Sequence, residues 1–284
     1  MKNKKVIFAT TVRNPGKNFK KSIEKFFNIG QNFQDFEIII IESDSSNHKY
    51  LKPFENQNRF VVKKLGNLQK NIKNGHLRTE RISFSRNHYL KYIKEHPEKN
   101  FDYLIVFDSD GVSNLINYVK IKEALLIKED WSAQFANQLI YYYDIFALRA
   151  KNWVEENYKL SRDKYIKNNM SPKKAILNSL TNKILHISTK KNLIPVESAF
   201  GGFGIYKVNR IGSSQYIGNV NGESICEHVP FNRAIEEAYP GTLYINPKLI
   251  SGLGFPEHTI GPKILLHFIP SFIFNMLYRY YKIK

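Results

Sequence analysis

Apolar residues recur in two alternating patterns along the first half of the chain. Short apolar runs bounded by polar residues predict buried strands, and longer segments with apolar residues three or four positions apart predict amphipathic helices. The predicted strands are residues 6–11, 36–41, 59–64 and 102–107, and the predicted helices are residues 18–29 and 83–95. Strands that alternate with helices predict an α/β fold with a doubly wound, mostly parallel sheet.

Three of these strands end in polar loops. The loops read RNPG at 13–16, ESDSSN at 42–47 and DSDG at 108–111. Ligands of doubly wound sheets bind beyond the carboxyl ends of the strands. We therefore expect the three loops to meet at one edge of the sheet and to form a binding site there.

The second half of the chain is less regular. Its predicted strands are residues 133–139, a segment near 144–149 and residues 242–245. Residues 151–191 carry ten Lys or Arg against three acids, which predicts an exposed helical excursion. We expect one domain over residues 1–262, followed by an amphipathic helical tail over residues 263–284.

Composition narrows the possible partners and compartments. The formal net charge of +18 and the pI of about 9.7 favour an anionic partner, although lysines that only solvate the surface would give the same excess. One cysteine, Cys226, excludes an internal disulfide framework. The apolar run at 6–9 is too short for a signal peptide, so we expect a cytoplasmic location.

The strongest chemical signal is Asp108-x-Asp110, which directly follows an apolar strand. Two carboxylates one residue apart at a strand end can hold a hard divalent cation. Such a cation neutralises a diphosphate and helps it to leave. The motif alone would also fit an acidic turn that ends a strand.

Five blocks together resemble a known family. They are FATTVRN at 8–14, ESDSS at 42–46, RISFSRNHYL at 81–90, ESAFGGFGIY at 197–206 and CEHVPFN at 226–232, with the D-x-D between the third and the fourth. Their order resembles that of GT-A glycosyltransferases, and the motifs are most similar to those of the fungal capsule-associated α-mannosyltransferases and their bacterial and viral relatives. His228 stands where the family carries an Asp, which leaves the base and the stereochemistry open.

The resemblance implies a GT-A domain that moves a sugar from a nucleoside diphosphate sugar to a hydroxyl of a surface glycan or glycolipid. It implies Mn²⁺ or Mg²⁺ as cofactor, with histidine favouring Mn²⁺. The implied metal ligands are Asp108, Asp110 and His258. The implied donor contacts are Thr11, Arg13, Asp44, Arg81, Arg86, Asp108, Gly201 and Gly202. The implied catalytic residues are Glu227, as base in an inverting reaction, and Glu197 or Glu227 near the acceptor in a retaining one.

Two other functions fit parts of the sequence. A nucleotidyltransferase also uses a doubly wound sheet and carboxylate-bound metal, but the loop at 13–16 is poor in glycine for a phosphate-binding loop. A nucleic-acid-binding module would explain residues 59–94, which hold ten Lys or Arg against one acid. The acidic loops at 42–44 and 108–110 would repel phosphate unless a metal is bound, so no nucleic acid is expected.

The C-terminal tail has a basic and aromatic composition. From His258 onward there is no acidic residue, and basic residues flank an apolar stretch broken at Pro270. An interfacial helix on an anionic membrane fits this pattern better than a span, which would place the protein at the inner face of the membrane. A helix that packs on the domain or on a second subunit is the alternative.

Overall fold

A computed structural model of the chain describes residues 1–254, 269–274 and 276. The main sheet has eight strands: β1 (Lys5–Val12), β2 (Asp35–Glu42), β3 (Phe60–Lys64), β4 (Tyr103–Phe107), β5 (Ala133–Gln138), β6 (Ile194–Pro195), β7 (Phe203–Lys207) and β10 (Leu243–Gly252). A separate hairpin pairs β8 (Asn219–Val220) with β9 (Glu223–Ser224). The helices are α1 (Lys17–Gly30), α2 (Leu68–Asn71), α3 (Arg78–Glu95), α4 (Tyr118–Leu125), α5 (Tyr158–Lys167), α6 (Pro172–Ser179) and α7 (His228–Ala238).

The main sheet is mostly parallel. Its order is β3-β2-β1-β4-β7-β5-β10-β6, and only β6 and β7 oppose the other strands. The chain moves outward from β1 to β3 and then crosses to β4 on the other side of β1. The predicted α/β, doubly wound and mostly parallel sheet is confirmed.

Two hydrophobic cores cover the two faces of the sheet. Along β1, Val6 and Phe8 point to one core, and Ile7 and Ala9 to the other, because side chains alternate along a strand. Helices α1 and α4 pack on the first face, and α3 and α7 on the second. Apolar residues at helical spacing explain why α1 buries one face.

Two predicted elements differ from the structure. The chain forms a turn instead of the strand predicted at 144–149, because Asp144 accepts a backbone hydrogen bond from Ala147 and the Leu148 amide donates to the Asp144 carbonyl. The strand predicted at 242–245 continues, with irregular pairing, to Gly252.

The helical excursion at 151–191 is present as α5, α6 and a short 3₁₀ turn, and α5 contains no buried residue. Residues 271–274 and 276 are helical, whereas most of the tail predicted at 263–284 lies outside the described residues. Within the ranges that the structure describes, no helix has the length and apolarity needed to cross a bilayer.

Candidate active site

A cavity of about 680 Å³ opens where the strand order reverses, at the carboxyl ends of β1, β2 and β4. This is the place where doubly wound sheets bind ligands. The cavity brings together eight of the side chains predicted from the sequence: Thr11, Arg13, Asp44, Arg81, Arg86, Asp108, Asp110 and Glu227. The predicted meeting of the three polar loops at one edge therefore occurs.

The acidic pair stands on a rigid support. Strand β4 is fully buried, and the Asp108 amide donates to the Gly202 carbonyl at 2.9 Å. The Asp110 carboxylate accepts from the Val112 amide at 3.2 Å, and its carbonyl accepts from the Asn18 side chain at 3.2 Å. These bonds fix the direction in which the two carboxylates leave the sheet.

The Asp108 carboxyl opens into the cavity but is otherwise surrounded by protein. Burial raises its pKa to about 7, which Arg86 opposes and the carboxylates of Asp110, Asp144 and Glu227 reinforce. With 39% of the side chain exposed to the cavity, a cation from solvent can still reach it. A cation bound there would offset the mutual repulsion of these carboxylates.

Arg86 is a buried cation between two acids. Its Nε donates to Glu227 Oε1 at 3.1 Å, and its Nη2 lies 3.4 Å from Asp108 Oδ1. The guanidinium also lies 5.1 Å from the ring centre of Phe200 and 5.7 Å from that of Tyr216. Burial alone would lower its pKa, but nearby oxygens, including those of both acids, raise it well above its ordinary value. Its charge is thus engaged by the protein, and it is less free for a phosphate than the sequence indicated.

Glu227 and His228 lie where helix α7 begins. Only 8% of the Glu227 side chain is exposed, and Arg86 fixes one of its oxygens. The His228 ring stacks on Phe200 with ring centres 3.9 Å apart, and its Nε2 is 3.8 Å from Glu227 Oε1. Burial, together with Arg86, lowers the pKa of His228 well below its ordinary value, so its imidazole is neutral.

The β1 and β2 loops form the other end of the cavity. Asp44 adopts a positive φ of 57°, accepts from the Gln69 amide at 3.1 Å, and faces Arg81 Nε at 3.5 Å. Arg81 also donates to the Gly75 carbonyl. Asp44 and Arg81, both predicted to contact the nucleotide sugar, are thus paired with each other. Thr11 and the exposed Arg13 line the cavity beside them.

Gly201 and Gly202, predicted as donor contacts, lie behind the acidic pair and do not line the cavity, whereas Phe200 of the same block does. Gly201 and Gly202 have φ of 64° and 78°, which favour glycine. A Cβ on Gly201 would lie 2.6 Å from the Ala136 carbonyl oxygen, and one on Gly202 would lie 2.7 Å from the Val112 side chain. The glycines thus allow close packing behind the D-x-D loop.

Glu197, predicted near the reacting centre, lies outside the cavity. Its carboxylate pairs with Arg233 at 2.7 Å, and both side chains are about half exposed. The amide of Glu197 donates to the Arg149 carbonyl, and the neighbouring Val196 and Ser198 are buried, whereas the Glu197 side chain faces solvent. The structure therefore gives Glu197 no contact with the cavity.

Asp144 lines the cavity although the sequence did not single it out. Its Oδ2 accepts from the Gly201 amide at 3.0 Å and its Oδ1 from the Ala147 amide at 3.4 Å. Burial raises its pKa, against the effect of these two backbone donors. An acid six residues after β5 was the available signal, and the strand predicted across it concealed it.

The acidic pair fits a divalent cation that takes only a few of its ligands from the protein. Among the described residues no group of three or more His, Cys, Asp or Glu side chains has the arrangement of a complete metal site. Mg²⁺ is commonly held by one or two carboxylates with substrate phosphates and water, which Asp108 and Asp110 can supply together with a diphosphate. His258, the third predicted ligand, lies outside the described residues.

Comparison with known proteins assigns the chain to no family, because no family model matches the sequence and no curated protein is significantly similar. Solved structures with a similar arrangement include TarS 1–349 of S. aureus, at 13% identity, 85% coverage of this chain and a TM-score of 0.44. Another is the mannosyltransferase PcManGT from Pyrobaculum calidifontis with GDP-Man and Mn²⁺, at 8% identity, 93% coverage of this chain and a TM-score of 0.49. A third is glucosyl-3-phosphoglycerate synthase from Mycobacterium tuberculosis with UDP, at 10% identity, 88% coverage of this chain and a TM-score of 0.41.

The chain spans 57% of the TarS structure, 61% of the mannosyltransferase and 69% of the synthase, and thus less than two thirds of the first two. At these identities and TM-scores no residue role passes from those proteins to this chain. The function proposed below rests on the residues of this chain.

Proposed function

We propose that the protein is a GT-A glycosyltransferase that moves a sugar from a nucleoside diphosphate sugar to a hydroxyl of a glycan or glycolipid. One observation carries this proposal. Asp108, Asp110, Arg86 and Glu227 come from three separate elements and share one cavity at the point where the strand order reverses. Such a cavity can place a diphosphate beside a carboxylate base.

The donor would lie along the edge of the sheet. Its nucleoside would contact Thr11, Arg13 and Asp44 at the β1 and β2 loops, and its diphosphate would lie at Asp108 and Asp110. Mn²⁺ or Mg²⁺ at that pair would neutralise the charge that develops on the leaving diphosphate.

Glu227 is the proposed base. In an inverting transfer its free carboxylate oxygen takes the proton of the acceptor hydroxyl while the acceptor oxygen bonds to the sugar and the nucleoside diphosphate departs. Arg86 holds the other oxygen at 3.1 Å and so orients the carboxylate. In a retaining transfer, Glu227 would instead orient the acceptor.

The proposed acceptor is carried by an anionic membrane. Lys173 on α6 donates to the Ile269 carbonyl at 2.6 Å. This bond joins the start of the described tail segment to the basic helical excursion at 151–191. Phe272 and Met276 in that segment are 75% and 65% exposed. Exposed apolar side chains beside lysines fit a membrane surface.

A thermal-shift screen tests the function. Nucleoside diphosphates and their sugar esters are added with Mn²⁺ or with EDTA. We expect the compounds of one nucleobase to raise the Tm of the protein, and to do so only with Mn²⁺. Asp110→Ala should remove that shift and the transfer activity. Asp130→Ala, a 61%-exposed acid in a surface ion pair, is the matched control and should keep both. Transfer that persists in EDTA would exclude the metal mechanism. A salt-dependent gel shift without any nucleotide binding would favour the nucleic-acid module.

A further inference from the structure

In the function proposed above, one end of the cavity is assigned neither to the nucleoside nor to the diphosphate. It is lined by Asp144 and Phe146 on the loop after β5, and by His228 at the start of α7. The two backbone amides that bond Asp144 fix its carboxylate, and each oxygen keeps a lone pair for a further donor. This end of the cavity, named here the β5 end, is a preformed polar surface beside an aromatic ring.

The order of the strands matches the order of the parts of a donor. Asp44 follows β2, the acidic pair follows β4, and Asp144 follows β5, with four strand spacings between β2 and β5. At about 4.8 Å per spacing the edge extends over about 19 Å. A nucleoside at the β2 loop and a diphosphate at β4 would direct the attached sugar to the β5 end.

His228 is a second and independent sign of a ligand. Its side chain is only 2% exposed, and neither ring nitrogen has a hydrogen-bond partner. Buried polar groups nearly always have a hydrogen-bond partner. An imidazole that lines the cavity without such a partner therefore fits a ligand that supplies one. A neutral imidazole offers one donor and one acceptor, which complements a hydroxyl group.

The charge at the β5 end disfavours an anionic sugar. Arg86 is the cavity-lining cation whose charge acts on Asp108, Asp144 and Glu227, and ion pairs with Glu227 and Asp108 already engage it. Arg149 also lies near Asp144, but it is buried, does not line the cavity and donates to the backbone carbonyls of Phe146 and Leu148. The other cationic side chains that line the cavity come from the β1–α1 segment or from the first turn of α3, namely Arg13, Lys17, Arg78 and Arg81. A sugar carboxylate at the β5 end would face Asp144 without a cation of its own.

We propose, on the basis of the proposed function, that Asp144 and His228 bind the transferred sugar through its hydroxyls and select a neutral sugar over a uronic acid. Asp144 accepts from one or two hydroxyls, and the ring of Phe146 offers a nonpolar surface to the sugar. Asp144 is a donor-binding residue here and takes no proton from the acceptor.

The test compares three ligands on the full-length protein with Mn²⁺: the nucleoside diphosphate found by the screen, its neutral hexose ester and its hexuronate ester. By calorimetry the hexuronate ester should bind at least about tenfold more weakly than the hexose ester. Asp144→Asn should lower kcat/KM for the neutral donor about 10- to 100-fold, as expected for a lost charge-assisted hydrogen bond, and leave the affinity for the nucleoside diphosphate within about twofold.

The outcomes separate this inference from the proposed function. If no nucleoside diphosphate binds the wild-type protein, both fail. If the diphosphate binds but the hexuronate ester is bound as well as the hexose ester, only this inference fails. It also fails if Asp144→Asn weakens the diphosphate alone as much as the sugar ester, or lowers kcat without changing donor affinity. Should that variant not fold, the wild-type comparison still decides the question.

Discussion

Replacing Arg86 with Met tests whether the buried cation organises the site. The guanidinium is 4% exposed and contacts Glu227, which is 8% exposed, and Asp108, which is 39% exposed. Methionine fills similar space but leaves both acids without their cation. Removal of one member of a buried ion pair costs about 3–5 kcal/mol. Because Asp108 is partly solvated, we expect the low end, about 3 kcal/mol.

The matched control is Arg233→Met. Arg233 pairs with Glu197 at 2.7 Å, a shorter distance than the 3.1 Å between Arg86 and Glu227. The side chains of Arg233 and Glu197 are, however, both about half exposed. Water screens such a pair, which contributes about 0–1 kcal/mol. The two variants therefore separate the effect of burial from the effect of distance.

Urea unfolding in EDTA measures the free energy of unfolding of each variant. We expect Arg86→Met to lose about 3 kcal/mol and Arg233→Met less than about 1 kcal/mol, without a change in m. Adding Glu227→Gln to Arg86→Met removes the more deeply buried of the two unpaired charges and should recover part of the loss. Equal losses in the two single variants, or strict additivity in the double variant, would refute the role given to Arg86.

Four other changes test the rest of the site. Asp108 has a pKa of about 7 in the folded protein against 3.8 ordinarily, so the folded state holds its proton more tightly and stability falls as pH rises through that window. Urea unfolding of Asp108→Asn in EDTA should therefore show a flatter pH profile and greater stability than the wild type at alkaline pH; an unchanged profile would contradict the burial argument. Glu227→Gln should keep donor affinity and reduce turnover about 100-fold, and near-normal turnover would assign the base role elsewhere. Gly201→Ala should lose about 2–4 kcal/mol in urea unfolding, since its Cβ would lie 2.6 Å from a carbonyl oxygen, whereas Gly212→Ala, with φ of 58° and no atom within 4 Å, should lose only about 1 kcal/mol. Truncation after Gly261 should leave the domain folded and abolish flotation with anionic liposomes; unfolding instead would mean that the tail packs on the domain.

The sheet edge was predictable because buried strands impose few choices. An apolar run such as 36–41 must lie inside, and parallel strands place the loops that follow them at one edge. That reasoning placed Asp44, Asp108 and Asp110 in one cavity without any knowledge of side-chain contacts. It needed only the period of the strands and the order of the loops.

Contacts between distant loops were not predictable from the same signals. The pairing of Asp44 with Arg81 depends on where α3 enters the site, and periodicity says nothing about entry points. Asp144 was hidden because apolar and aromatic neighbours favoured a strand, whereas hydrogen bonds from two backbone amides favour a turn. The block containing Glu197 matched a motif, but the neighbouring Val196 and Ser198 are buried, whereas the Glu197 side chain faces solvent.

The position of β7 has a consequence for the order in which the protein can mature during synthesis. Strand β4 carries the D-x-D loop, yet one of its two neighbours in the sheet, β7, begins 96 residues after β4 ends. A ribosome that has made β1 to β4 has therefore released a fully apolar strand with an open edge, a known route to aggregation. The Gly202 carbonyl that accepts from the Asp108 amide is also made late. Nascent chains would thus need protection until β7 emerges, and closure of this long loop should make folding slow.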